Sequence, residues 1–284
     1  MLKKAAAPSA PVTPPLVSGQ ILIFGVQAWL VGYLALVVLH VACYQLALAC
    51  RGTRLDMLSK APQLAAHFLP QLICFALAVY WAAFDWLFRG TIPEDAMAFG
   101  IGGYLPEGER IACLMLAFQL YELSACIPDG TQRLRGTVNE LVGHHVTVVI
   151  LSYLVYYHQA FQYFAPVFMG VPEVSSLPLT IVDLFRQFPT LKQSFPATNE
   201  LARNVFAVTF LGFRAVYWPL CSITFWRACL AAHAGPAMAG VSTWVVYVFE
   251  VANVLMTCLQ WYWASIILGA IVSMATGGKP PKDD

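Results

Sequence analysis

Charge is what this sequence has least of. Only 16 Lys and Arg and 15 Asp and Glu stand among 284 residues, which is 11% of the chain. Soluble domains carry roughly 25%. Hydrophobic residues make up 59%, where a soluble domain holds about 45–50%. A conventional soluble fold is excluded. A net charge of +1 offers no basic surface to a nucleic acid.

Two further patterns are missing. No run shows the period-2 alternation of an outer-membrane barrel. The eight cysteines (Cys43, Cys50, Cys74, Cys113, Cys126, Cys221, Cys229, Cys258) form no CxxC pair and no zinc-type spacing. They read as small apolar packing residues, and no metal site is expected.

What is present is a series of apolar stretches, each of about 18 residues or more and so long enough to cross a bilayer core. The expected fold is an all-α polytopic membrane protein with about seven transmembrane helices. The spans are drawn at 21–49, 63–88, 111–127, 138–157, 160–185, 201–230 and 241–275. Three regions follow: a Pro/Ala-rich tail (1–19), a helical bundle (20–276) and a short polar C-terminal tail (277–284). The first tail holds Lys3, Lys4 and four prolines among its first fifteen residues. It cannot bury enough apolar surface to fold alone. Its lysines lie too far from the first apolar run for a secretory signal, so the tail is expected to be retained.

Basic residues near span ends orient the bundle. One side holds ten: Arg51, Arg54, Lys60, Arg133, Arg135, Arg186, Lys192, Arg203, Lys279 and Lys282. The other holds five: Lys3, Lys4, Arg89, Arg110 and Arg227. The N-terminus is therefore expected outside or lumenal and the C-terminus cytosolic.

The fourth span opens with the densest chemistry in the chain, Asn139-Glu140-Leu-Val-Gly-His144-His145. Ionisable groups in hydrocarbon are costly, and they are commonly turned inward and functional. Successive helical residues point about 100° apart, given roughly 3.6 residues per turn. The two histidines cannot share one direction, but both can border one cavity. Glu140 lies four residues before His144 on the same face and can raise its basicity or fix its tautomer. An imidazole so placed can act as a base or accept an acyl group. The competing reading is a histidine pair serving as interhelical glue.

The fifth span carries Pro166, Gly170, Pro172 and Pro178 together with Glu173, Ser175 and Ser176. Proline removes a backbone donor and disfavours helix just before it, so this span should be broken. Broken backbone at membrane depth survives where protein or a water-filled cavity satisfies it. Asp85, Glu122, Asp183, Arg214 and Glu250 add further charge inside the spans. Arg214 needs a neutralising partner, and Glu122, Glu173 and Glu250 are the candidates. His158, beside Tyr156 and Tyr157, reads as part of an interfacial aromatic belt. His40, His67 and His233 have no local sequence context and read as incidental.

The order of these features resembles the TLC-domain membrane proteins, which include the ceramide synthases. The carrying residues are Glu140-Leu-Val-Gly-His144-His145 followed by Ser152-Tyr153, then Met169-Gly-Val-Pro-Glu173-Val-Ser175-Ser176-Leu-Pro, and Phe210-Leu-Gly-Phe-Arg214-Ala-Val-Tyr-Trp-Pro219. The resemblance covers about 63–275. It implies a ring of helices around a lipid chamber in the endoplasmic reticulum membrane, with lipid metabolism or lipid binding as the setting. It implies His144, His145 and Glu173 as catalytic residues, with Glu140, Ser152, Tyr153, Ser175, Ser176 and Arg214 contacting ligand; Glu122, as an intramembrane acid, is expected to contact ligand as well. No bound cofactor is expected; acyl-coenzyme A is the co-substrate the synthases imply. The chain departs from them where their His-Asp-x-x-Asp element becomes Pro172-Glu173-Val-Ser-Ser176. In this it is similar to the smaller non-synthase members.

Three readings stand side by side: an acyl-lipid enzyme with a histidine base or acyl acceptor, a non-catalytic lipid binder or regulator of membrane composition, and a structural subunit. The partners are membrane lipids or acyl chains, with a homo-oligomer or a larger membrane complex as the protein partner.

Overall fold

The computed structural model describes residues 21–88, 101–126, 138–234 and 241–276, with backbone alone at 85–88, 126 and 138–141. The tails 1–19 and 277–284, Arg133, Arg135 and the side chains of Asp85, Cys126 and Glu140 lie outside that description.

The described chain is helical almost throughout. A small hairpin, β1 (Leu22–Ile23) and β2 (Val26–Gln27), leads into α1 (Ala28–Ala49). The 22 residues of α1 reach about 33 Å at ~1.5 Å each, enough for a hydrocarbon core of ~30 Å. A short α2 (Asp56–Lys60) precedes α3 (Pro62–Val79), which starts on a proline at its first position and runs on as a π-helical segment, Tyr80–Phe88. Next come α4 (Pro106–Cys126) and α5 (Val138–Tyr157). The second half holds α6 (Glu173–Gln187), α7 (Pro189–Ser194), α8 (Pro196–Phe210), α9 (Trp218–Ala234) and α10 (Thr243–Ala275).

Among the described residues, five stretches are long and apolar enough to cross a membrane: Ala28–Ala49, Pro62–Phe84, Gln162–Gln187, Pro196–Ala234 and Thr243–Ala275. They match five of the seven expected spans. The fourth falls on α5, whose apolar portion Val142–Tyr157 is shorter, and the third on α4. The reason α4 is less apolar is visible in its packing. Ile111, Ala112, Met115, Phe118 and Tyr121 belong to the core, and Glu107, Glu109, Gln119 and Glu122 are buried beside them. A helix that meets protein rather than lipid has no need of an apolar outer surface. By contrast α1 is peripheral, only 11% buried, and shows Leu34, Val38, Val41 and Leu46 outward.

The fifth span is broken around Pro166 and Pro172, whereas Pro178 lies inside regular helix. Gln159 and Phe161 take positive φ, a 3-10 turn covers Gln162–Phe164, a π turn covers Pro166–Gly170, and regular helix resumes at Glu173. The Gln162 side chain satisfies freed backbone: its carbonyl accepts from the Leu105 N–H at 2.8 Å, and its amide donates to the Val155 carbonyl at 3.3 Å. Two glycines permit the close approach. A Cβ on Gly108 would lie 2.2 Å from the Gln162 backbone carbonyl oxygen, and one on Gly170 would lie 2.4 Å from the Ala82 Cβ.

A second irregularity lies between α8 and α9, where Leu211–Tyr217 is π-helical. Pro219 explains it: a proline clashes with the carbonyl four residues back and gives it no hydrogen bond. That carbonyl belongs to Ala215, and it accepts instead from the Trp261 indole at 3.4 Å. Arg214 sits inside this widened turn. Such turns recur at functional sites.

Loop contacts identify the two ends of the bundle. At one, Tyr156 donates to the Ile21 carbonyl at 3.2 Å and the Trp29 indole donates to Tyr157 at 2.8 Å. At the other, Thr190 donates to the Met57 sulfur at 3.2 Å, joining two loops that carry basic residues.

Candidate functional site

A chamber runs inside the bundle between α4, α5, the broken fifth span, the Arg214 turn with α9, and α10. Its atom-free space, with the open mouth included, is about 690 Å³. Its walls change character along their length. One end is aromatic: the Phe161 and Phe249 rings stack at 4.3 Å, Phe225 lies 5.5 Å from Phe164, and Phe168 lies 4.6 Å from Trp218. The other end gathers Gln119, His144, Glu173, Arg214 and Gln260. From His144 to Val155 along α5, and from Phe249 to Gln260 along α10, the span is roughly 16 Å by helical rise.

Helical spacing accounts for these walls. Met115 and Gln119 lie four residues apart on α4, while His144, Val148, Leu151 and Val155 repeat every three or four residues on α5. His144 therefore faces the chamber and His145 does not. The His145 ring is 5.5 Å from that of His144, and its Nδ1 is hydrogen-bonded to the Gln119 carbonyl oxygen. His144 packs edge-on against Trp263 at 5.9 Å, and its buried Nδ1 has no partner among the described residues.

Arg214 is clamped. Its Nε donates to Ser175 at 2.8 Å, a terminal nitrogen donates to Ser176 at 2.9 Å, and that nitrogen lies 3.5 Å from the Glu173 carboxylate. The guanidinium also sits 5.7 Å over the Phe210 ring, a cation–π distance. Ser175 donates onward to the Pro172 carbonyl at 2.8 Å. The Pro172-Glu173-Val-Ser-Ser176 element is thus a cradle for Arg214, with Glu173 in the first turn of α6, where a helix favours an acid.

The structure brings together some of the expected residues and disperses others. His144, Glu173 and Arg214 line the chamber, and Ser175 and Ser176 reach it through Arg214. Ser152 is buried and donates to the Met169 sulfur at 3.8 Å. Tyr153 is 46% exposed on the outer face of α5, packed on Tyr157 and His158. Of the three candidate partners for Arg214, the structure selects Glu173. Glu250 pairs with His233 at 2.9 Å, and Glu122 pairs with His67 at 2.8 Å. Those last two histidines, with His40, are not incidental. His67 and His40 both hydrogen-bond the Tyr121 hydroxyl, at 3.1 and 2.7 Å. Their partners are remote in sequence, so no local context marks them.

Sequence reading also passed over Gln119 and Gln260. An uncharged amide inside an apolar run is a weak signal, but it is the one available.

The architecture is that of a multi-pass helical membrane protein built around an internal chamber. Residues 22–269 match the TLC domain. The chain belongs to the TLC-domain family, a family of membrane lipid-related proteins, and the match includes its first helix. No curated protein and no solved structure matches it significantly.

Proposed function

We propose that the chamber takes up one acyl chain of a membrane lipid, with the tail among the phenylalanines and the head beside His144. The polarity gradient along the chamber carries this reading. Its length of roughly 16 Å is about half of a ~30 Å hydrocarbon core, which is the depth of one leaflet. Native mass spectrometry of gently extracted protein tests it. A bound lipid is expected, and Ala252→Trp, which fills the chamber wall, should lower its occupancy. Finding no lipid on either protein would sink the proposal.

One observation favours turnover as a second reading. The unpartnered Nδ1 of His144 is the group with the lone pair or proton to act on a carbonyl, whereas His145 is engaged by Gln119. In acyl transfer from acyl-coenzyme A, the base would remove a proton from the attacking acceptor as the thioester C–S bond breaks and the thiol leaves. With radiolabelled acyl-coenzyme A and lipid acceptors, His144→Ala should abolish label transfer. Absence of label across long-chain donors with the wild type leaves the non-catalytic binder.

We further propose that the end joined by Met57 and Thr190 is cytosolic, because Arg51, Arg54, Lys60 and Lys192 lie there, and that the membrane is that of the endoplasmic reticulum. A glycan acceptor inserted at Gly25 should be modified and one inserted at Gln193 should not.

A further inference from the structure

One polar side chain at the head end of the chamber, that of Gln260, has no role in the readings above. Gln260 is fully buried, lines the chamber, and has no partner for either atom of its carboxamide among the described residues. His144 contributes a buried, unpartnered Nδ1 to the same end; its ring packs on Trp263, one turn along α10 from Gln260. Buried polar atoms are nearly always hydrogen-bonded, and an unpaired one is a standing cost. A carboxamide presents donors and an acceptor together. A group received there must therefore offer both.

Charge narrows the class further. Glu173 and Arg214 line the same chamber and neutralise each other, and Arg214 also gives its Nε to Ser175 and one terminal nitrogen to Ser176. A head with net charge would enter a low-dielectric site without a counter-ion left to meet it. An acceptor-only head such as an ester would leave the Gln260 carbonyl oxygen unpaired.

We infer that the lipid held in this chamber has an uncharged head carrying both a hydrogen-bond donor and an acceptor, a hydroxyl or a carboxamide, received by Gln260 and His144. This rests on the lipid-chamber reading and narrows its substrate class.

Four probes with the same chain separate the possibilities: oleyl alcohol, oleamide, methyl oleate and oleate. Each is titrated at neutral pH against the full chain in nanodiscs, with affinity read by competition in native mass spectrometry. The alcohol and amide should bind roughly tenfold or more tightly than the ester or the carboxylate, the scale of one unpaired buried polar group. Gln260→Leu should erase that preference while leaving methyl oleate unchanged. Equal binding of all four by the wild type, or a Gln260→Leu loss shared by all four, overturns the inference and leaves the lipid chamber standing. If no probe binds at all, the chamber reading itself fails. Should Gln260→Leu not fold, the wild-type ranking alone decides.

Discussion

Arg214 meets Glu173 at 3.5 Å from across the chamber wall, one residue lying in a π-helical turn and the other at the first turn of a resumed helix. Each position exists because of a proline: Pro219 beyond the turn, and Pro172 just before Glu173. The pair thus ties together the two irregular segments of the bundle.

Breaking that pair from one side leaves a buried charge. Removing one partner of a buried ion pair costs about 3–5 kcal/mol, whereas replacing both with apolar residues costs far less. Glu173→Leu should lower the thermal midpoint in detergent sharply, because Arg214 keeps only its serines. The double variant Glu173→Leu with Arg214→Met should recover much of that loss. A double variant as unstable as the sum of the two singles would refute the coupling.

The helices, the broken fifth span and the need of Arg214 for a buried acid were legible in the sequence because proline placement and intramembrane charge are local signals. Which charge neutralises Arg214 was not legible. Glu122, Glu173 and Glu250 are equivalent on composition, and only the packing assigns them to His67, Arg214 and His233. The histidine pair was legible as a feature but not in its division of labour. That division depends on the rotation of α5 about its axis, which turns His144 to the chamber and His145 to Gln119.

The chain of hydrogen bonds from His40 through Tyr121 and His67 to Glu122 crosses α1, α4 and α3. Gln71 adds a contact to Glu122 at 3.3 Å. Tyr121→Phe removes the hydroxyl that both histidines use and should cost about 1–3 kcal/mol. Chemical denaturation in mild detergent measures it. Lipid occupancy of the chamber should be unchanged, because none of these side chains lines it; a loss of bound lipid would contradict the separation of the two sites.

Glycine substitutions offer an internal control. Gly170→Ala drives a methyl to within 2.4 Å of the Ala82 Cβ, with backbone at 3.3 Å behind it, so the broken span and the end of α3 must separate. Overpacking of this kind costs about 1–3 kcal/mol. Gly143→Ala, immediately before the histidine pair, meets nothing within 4 Å. It should be neutral or slightly stabilising, since alanine is favoured over glycine within a helix by about 1 kcal/mol. Thermal midpoints of the two variants should therefore move in opposite directions, or the second not at all.

Glu109, just before the expected third span, makes stability depend on pH in a direction opposite to the usual acid. It is 2% exposed, and burial pushes its carboxyl above the ordinary value of 4.5, while the hydrogen bond from Tyr104 at 2.9 Å pulls the other way less strongly. With the folded value raised, the folded chain holds more protons than the unfolded chain once pH exceeds 4.5. Stability then falls as pH rises through that window and levels off above the folded value. Glu109→Gln removes the titration and keeps an acceptor for Tyr104. The thermal midpoint of the variant minus that of the wild type should therefore increase from acid to neutral pH. A difference that stays flat or shrinks would mean the carboxylate is stabilised in the fold and not penalised by it.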